Sequence, residues 1–378
     1  MTGRLLALAA GTFALGVDAF VTAGLVGPIA RDLDVTPAAA GQLVTVFALC
    51  FAVLSPVLAA LTGRFARRPV LLAALAVFTA GNVVTALAPA YAAVLASRAI
   101  AAAGAALYAP SAVATGAALA APERRGRAMA TVVAGLTVAT ALGVPAGSWL
   151  GGAAGWRAVL WLVAGLGAAA FAGVALLVPD VRLPAGGGLR ERFAPLADRR
   201  VAASFALVVL LFGGFYVLYT YLGPLLAPAT GGSQGRLAVA LWLFGTVSIA
   251  ANLAGGRLAD SREPQRTRLL ALAGFVAVVA LAPLARHGYP AALMWTAAFG
   301  VPGWLMYASH LRLLTALVPD ATPLLVGLNS SAQYFGMGLG GAAGGLVLDG
   351  PGPAALGWTA AVLALGALLL ARPATRTG

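Results

Sequence analysis

The sequence predicts an all-α integral membrane protein, with twelve transmembrane helices in two pseudo-symmetric six-helix bundles. Three observations predict it. Hydrophobic residues make up 61% of the 378 and charged residues 9%, with a mean hydropathy of +0.94, whereas a soluble domain carries roughly 25% charge. Apolar runs of about 20 residues recur along the chain, each long enough to cross about 30 Å of hydrocarbon. Two short motifs also recur at offsets close to half the chain. Gly63-Arg64-Phe65-Ala66-Arg67-Arg68 is echoed 193 residues later by Gly256-Arg257-Leu258-Ala259-Asp260. The run from Leu150 to Gly155 returns letter for letter from Leu339 to Gly344, an offset of 189. One such echo is weak in a chain rich in Ala and Gly; two at nearly the same offset indicate internal duplication.

The first six spans fall near 5–29, 39–62, 69–88, 91–120, 127–152 and 158–178, and the second six near 203–227, 237–258, 267–285, 290–310, 323–348 and 354–372. Their length, and the need to satisfy backbone polar groups within each segment, select helix over strand. The first run is too long for a signal peptide, carries Asp18 in its middle and is followed by similar runs, so it reads as a retained span. The expected domains are a bundle over 1–178, a cytoplasmic linker over 179–202 and a second bundle over 203–378. The linker is set apart by composition, with Arg182, Arg190, Arg192, Arg199, Arg200 and the run Gly186-Gly187-Gly188. It reads as a solvated tether that leaves the two bundles unlocked.

Charge placement sets the topology. The formal net charge is +13 and all 24 basic residues are Arg. With both termini cytoplasmic, 19 arginines fall on the inner side and four (Arg31, Arg157, Arg236, Arg286) on the outer, with Arg98 inside a span. That bias is the positive-inside pattern of a cell-membrane protein and argues against nucleic acid as the partner. Cys50 is the single cysteine, which excludes an internal disulfide and reads as a small apolar filler. No cofactor or metal is expected, and a monomer is.

Polar residues inside the spans are the candidate functional groups. Asp18 lies near the middle of the first span, where an acid costs about 2.5–3.5 kcal/mol on insertion scales. Such a residue faces the bundle interior or a wet cavity. A carboxyl group balanced between burial and a nearby cation can exchange protons near neutral pH; the competing reading is an ion pair or hydrogen bond that locks two helices. Arg98, about two turns into the fourth span, keeps its charge and requires an anion, a substrate group or helix carbonyls, unless it snorkels to the outer interface. Tyr108 and Asn82 are weaker cavity candidates, equally readable as helix contacts. In the eleventh span Asn329 and Gln333 stand evenly between lining a cavity and bridging helices. His310 and Arg312, at the inner end of the tenth span, read as interfacial anchors.

The fifth span places Gly143, Gly147, Gly151 and Gly155 four residues apart, a face on which another helix can approach closely. Pro145 removes one backbone bond and permits a bend. Gly336, Gly340 and Gly344 repeat the spacing in the eleventh span, which suggests matched contacts between the halves.

With these residues in view, the chain resembles the major facilitator superfamily, in particular its drug-and-sugar proton antiporter branch related to arabinose efflux permeases. Gly63, Arg64, Arg67 and Arg68 are similar to that family's Gly-x-Leu-Ala-Asp-Arg-x-Gly-Arg-Arg loop, shortened and lacking the acid. Gly256, Arg257 and Asp260 form a second copy that keeps the acid. Arg98 followed by Gly104 resembles the fourth-span signature tied to proton coupling, with Ala102 where that signature has Gly. The stretch from Gly143 to Gly147 resembles the antiporter signature, with Gly and Pro one residue apart rather than adjacent, and Gly155-Trp156-Arg157 fits as well. The resemblance implies two six-helix halves around a central cavity, alternating access by rocking, and cytoplasmic gate loops at the two basic motifs.

The expected function is therefore proton-driven export of a small molecule (drug, sugar or metabolite) that is uncharged or weakly charged, with protons and the bilayer as the other partners. An importer or uniporter on the same scaffold is the alternative, followed by a membrane sensor that binds without transport. An intramembrane enzyme is disfavoured, because neither histidine lies well inside a span and no His-Glu-x-x-His pattern occurs.

Overall fold

The structure, a computed structural model, describes residues 2–182, 188–259 and 263–371. Among the described residues every regular element is helical. The chain divides into two compact units, Met1–Leu189 and Arg190–Gly378. The division falls inside the stretch expected to be a linker. That stretch is not all tether: it carries a short helix at Leu189–Phe193 and a 3-10 turn at Ala194–Ala197, and Leu196 packs on Val201, Leu314 and Leu325.

The first unit contains α1 (Thr2–Asp32), α2 (Pro37–Leu61), α3 (Arg67–Leu87), α4 (Tyr91–Ala118), α5 and α6 (Trp156–Leu177). α2 begins where its residues dictate, with Pro37 in the first turn and the Thr36 hydroxyl accepting from the Ala39 N–H at 3.1 Å. α5 has three parts, Arg125–Val138, a π turn at Ala139–Gly143 and Val144–Ala154. Pro145 explains the π turn. Its ring has no N–H and would clash with the carbonyl four residues back, so the chain takes an extra residue and the Val144 N–H reaches the Ala139 carbonyl. Gly155, at φ +84°, ends the helix in a conformation that L side chains resist and turns the chain into α6.

The second unit contains α7 (Arg199–Tyr219, then Leu222–Thr230), α8 (Gln234–Ala259), α9 (Pro264–Ala280), α10 (Tyr289–Phe299, then Pro302–Thr315), α11 (Thr322–Asp349) and α12 (Leu356–Ala371). The Asp198 carboxylate caps α7 by accepting from the Arg200 N–H at 2.7 Å. Pro302 opens the second segment of α10, which breaks at Gly300 and Val301.

Helix pairing repeats between the units. In the first, α1 packs on α5 and α6, α3 on α4 and α6, and α2 on α4; in the second, α7 packs on α11 and α12, α9 on α10 and α12, and α8 on α10. Adding six to each helix number maps one set onto the other, the structural signature of duplication. Among the described residues nine helical stretches are long and apolar enough to cross a membrane; α9, α10 and α11 complete two sets of six. Large apolar side chains such as Leu176 (83% exposed), Leu346 (79%) and Val362 (70%) point outward. In water they would be a liability, and in hydrocarbon they are at home.

Candidate functional site

In the first unit, Asp18 and Arg98 meet. The Arg98 Nη1 donates to Asp18 Oδ1 at 2.7 Å, across α1 and α4. Asp18 is fully buried and Arg98 is 2% exposed. From α2, the Phe47 ring lies under the guanidinium, 4.6 Å from centroid to Cζ, so three helices converge on one charge pair. The pair is incompletely satisfied. Neither Asp18 Oδ2 nor Arg98 Nε has a hydrogen-bonding partner. A buried ion pair with spare hydrogen-bonding capacity can be re-partitioned by a proton or a ligand. Arg98 is held inside the bundle by an acid and does not snorkel. In this conformation Asp18 is reached by Arg98 and not by solvent.

Tyr108 ties two helices together. Its ring is fully buried against Gly11 and its hydroxyl donates to the Leu8 carbonyl at 3.0 Å, fastening α4 to α1. Asn82 is likewise fully buried and donates to the Phe78 carbonyl of its own helix at 3.1 Å. Tyr108 is a helix contact, whereas Asn82 leaves its buried Oδ1 without a hydrogen-bonding partner.

In the second unit, Asn329 and Gln333 of α11 converge on Tyr307 of α10. Gln333 Nε2 donates to the Tyr307 hydroxyl at 3.0 Å and Asn329 Nδ2 at 3.5 Å. His310, one turn after Tyr307, is fully buried and is not an interfacial anchor. Arg312 is exposed, and its Nη1 donates to the Ala259 carbonyl at the end of α8.

The basic motifs differ in form. Gly63, Arg64 and Phe65 make a turn, with the Arg64 guanidinium 5.1 Å from the Phe65 ring centroid, while Arg67 and Arg68 already open α3. Arg67 Nη2 donates to the Gly63 carbonyl at 3.2 Å, and its backbone N–H donates to the Val181 carbonyl at 2.8 Å. Arg68 Nη2 donates to the Ala175 carbonyl at the end of α6. The second copy is not a loop where it is described: Gly256 and Arg257 lie in the last turn of α8, and Asp260 lies outside the described residues. The counterpart of Arg68 is Arg268, near the start of α9, whose Nη2 donates to the Ala371 carbonyl at the end of α12 at 3.0 Å. Each cation sits on the carbonyl end of a helix, where the dipole favours it.

The glycine faces also settle within their own units. A Cβ at Gly143, Gly147 or Gly151 would collide with Val17, Val21 or Leu25 of α1 respectively, so side chains of α1 fill the gaps. Gly155 drops out of the face because it ends the helix. In α11, a Cβ at Gly336 or Gly340 would run into the Val209 or Gly213 carbonyl of α7, and one at Gly344 into the Tyr221 ring. These contacts belong to α1·α5 and α7·α11 inside each unit.

The sequence did not single out Phe47, Tyr307 or Asp32. Asp32, at the end of α1, accepts from Trp156 Nε1 at 3.0 Å and from Arg157 Nη1, and Arg157 Nη2 also donates to the Ala88 carbonyl at 3.1 Å. The Trp-Arg pair singled out in the sequence thus joins α1, α3 and α6.

A sequence model of the Major Facilitator Superfamily matches residues 8–316. A chloramphenicol resistance protein of Streptomyces lividans is 37% identical, covering 97% of this chain and 94% of its own. The inner membrane transport protein YdhP of Escherichia coli (strain K12) is 32% identical over 91% of this chain and 88% of its own. Among solved structures, that of a point mutant of the nucleoside transporter NupG superposes with a TM-score of 0.77 at 14% identity, covering 97% of each chain. That likeness is one of fold. The duplicated six-helix units and the family match together place this chain in the major facilitator superfamily of multi-pass membrane transporters.

Proposed function

We propose that the protein is a proton-coupled exporter of a small molecule. The observation that carries this reading is the buried Asp18–Arg98 pair, with one carboxylate oxygen and one guanidinium nitrogen unpartnered. Protonating Asp18 removes the ionic attraction for Arg98 and releases one tie between α1 and α4, while the Tyr108–Leu8 hydrogen bond stays in place. Returning the proton restores both. A group that changes helix contacts with its proton couples proton exchange to alternating exposure of Asp18 to the two sides of the membrane. Export is favoured over import by the likeness to a chloramphenicol resistance protein and by the antiporter-like stretch from Gly143 to Gly147. Both termini are placed in the cytoplasm, in the cell membrane, on the arginine bias. The proton gradient is the energy source, with no cofactor, and the acting unit is a monomer.

The test is chloramphenicol movement in everted membrane vesicles under an imposed pH gradient. The reading predicts accumulation when the vesicle interior is acidic and collapse of that accumulation on adding a protonophore. Equilibration of chloramphenicol, without accumulation, that ignores the gradient would make the protein a uniporter. Accumulation only with the interior alkaline would make it an importer. No movement of chloramphenicol or of any compound in a drug, sugar and nucleoside panel would leave a binding sensor.

A further inference from the structure

We propose that Phe47 is a positioning residue of the Asp18–Arg98 site: its ring holds the Arg98 guanidinium once Asp18 is protonated, and so sets the pH at which Asp18 takes up its proton. The inference deepens the proton-coupled reading and rests on it. Phe47 is 1% exposed, and the guanidinium carbon of Arg98 lies 4.6 Å from its ring centroid. Arg98 thus leans on two other helices, on a carboxylate of α1 and a π face of α2. Its Nε has no hydrogen-bonding partner. The sequence of this unit puts no other charge at that depth. Between Arg4 and Arg31 the charged residue of α1 is Asp18, α2 has none, and α4 has only Arg98. Those of α3, α5 and α6 stand in the first turn of their helices: Arg67, Arg68, Arg125, Arg127 and Arg157. The other titratable side chains are engaged or set apart. Tyr108 donates to the Leu8 carbonyl, Tyr91 donates to the Ala39 carbonyl, and Cys50, about one turn beyond Phe47, is partly exposed.

The ring matters most when the acid loses its charge. A guanidinium keeps its own charge whatever its partner does. While Asp18 is ionised, its carboxylate balances Arg98 and the ring adds little. Once Asp18 is protonated, a lone cation is left in apolar surroundings, a cost that opposes proton uptake. The face of an aromatic ring attracts a desolvated cation most strongly when no anion competes for it. Phe47 therefore favours the protonated state, and without it a lower pH is needed to place the proton. The second unit shows what the same place does without a charge. Phe47 comes ten residues after the first of α2, and Phe244 ten after the first of α8. The Phe244 ring lies 5.9 Å from that of Phe215 in α7 and 5.8 Å from that of Phe299 in α10, centroid to centroid, and the latter two stack at 4.9 Å. There α7, α8 and α10 meet through rings alone, where α1, α2 and α4 meet through two charges and a ring. The aromatic position is common to both units, and the cation it faces belongs to the first.

The test is a pH titration of the purified full-length protein by infrared spectroscopy, read at the carboxyl C=O band that Asp18→Asn abolishes. Phe47→Leu is expected to move the midpoint of that band down by at least about half a pH unit. Difluorophenylalanine incorporated at position 47 keeps the shape of the ring and weakens its π face. It is expected to move the midpoint in the same direction by a smaller step. Phe244→Leu, which removes a ring that faces rings, should leave the midpoint where it is. An unmoved or raised midpoint in either position-47 protein, or an equal shift from Phe244→Leu, would overturn the proposal and leave the exporter reading standing. Should Phe47→Leu fail to fold, the fluorinated protein decides alone. The expected shifts in a protein that shows no gradient-driven flux would sink the exporter reading and leave the role of Phe47 standing. A wild-type spectrum from which Asp18→Asn removes no titrating band would sink both.

Discussion

Asp18 and Arg98 are each costly alone in an apolar bundle and tolerable together. Removing one partner of a buried pair strands the other charge, at about 3–5 kcal/mol, whereas replacing both by apolar groups is often neutral. Arg98→Met should therefore lower the thermal unfolding midpoint of the purified protein sharply, and Asp18→Leu with Arg98→Met should recover most of the loss. An unshifted midpoint in the single variant would mean that the pair contributes little to the fold. Both residues were legible in the sequence, because ionisable groups inside spans have few acceptable places to go. Phe47 and Tyr307 were not, since an aromatic residue in an apolar helix reads as filler until its neighbours are known. His310 was misread as an anchor because Arg312, two residues on, is exposed at the same helix end; the two side chains point to different faces.

At the scale of the helix, the same glycine spacing serves two kinds of contact. Gly340 of α11 faces a backbone carbonyl of α7, while Gly143 of α5 faces the Val17 side chain of α1. A side chain can turn away, but a backbone carbonyl moves only with its helix. Gly340→Ala should thus depress the unfolding midpoint more than Gly143→Ala, and equal shifts would contradict the packing described. Pro145→Ala restores an N–H and removes the ring, so the π turn at Ala139–Gly143 loses its cause. Retained stability with slowed transport, read by thermal unfolding beside initial flux rates, would identify that turn as a working bend; unaltered flux would make it passive. The sequence echoes located the duplication but missed its register. Helix starts and ends in the fifth and eleventh spans lie 197 (Arg125 to Thr322) and 195 (Ala154 to Asp349) residues apart, against letter matches at 193 and 189. Small residues recur often enough in such helices to match a turn or two out of place, and Gly155 ends α5 while Gly344 sits inside α11. Helix pairing carries the true register.

Across the whole molecule, the proposed topology follows from the arginine distribution. Replacing Cys50 and introducing single cysteines at Arg64 or Arg286 tests it with an impermeant maleimide on intact cells. Position 286 should label from outside and position 64 only after the membrane is opened; the reverse pattern would invert the topology. Fold and family were legible because hydropathy and backbone satisfaction leave few options for such a chain. The polar contacts between spans were not, since they depend on which side chains of separate helices meet, as Tyr307, Asn329 and Gln333 do. The central claim is that the proton on Asp18 drives net movement of cargo. The direct measurement compares gradient-driven efflux with substrate counterflow for wild type and Asp18→Asn in the same proteoliposomes, since counterflow needs no net proton transfer. The account predicts that Asp18→Asn loses gradient-driven efflux and keeps counterflow, and undiminished gradient-driven efflux in that variant would contradict it.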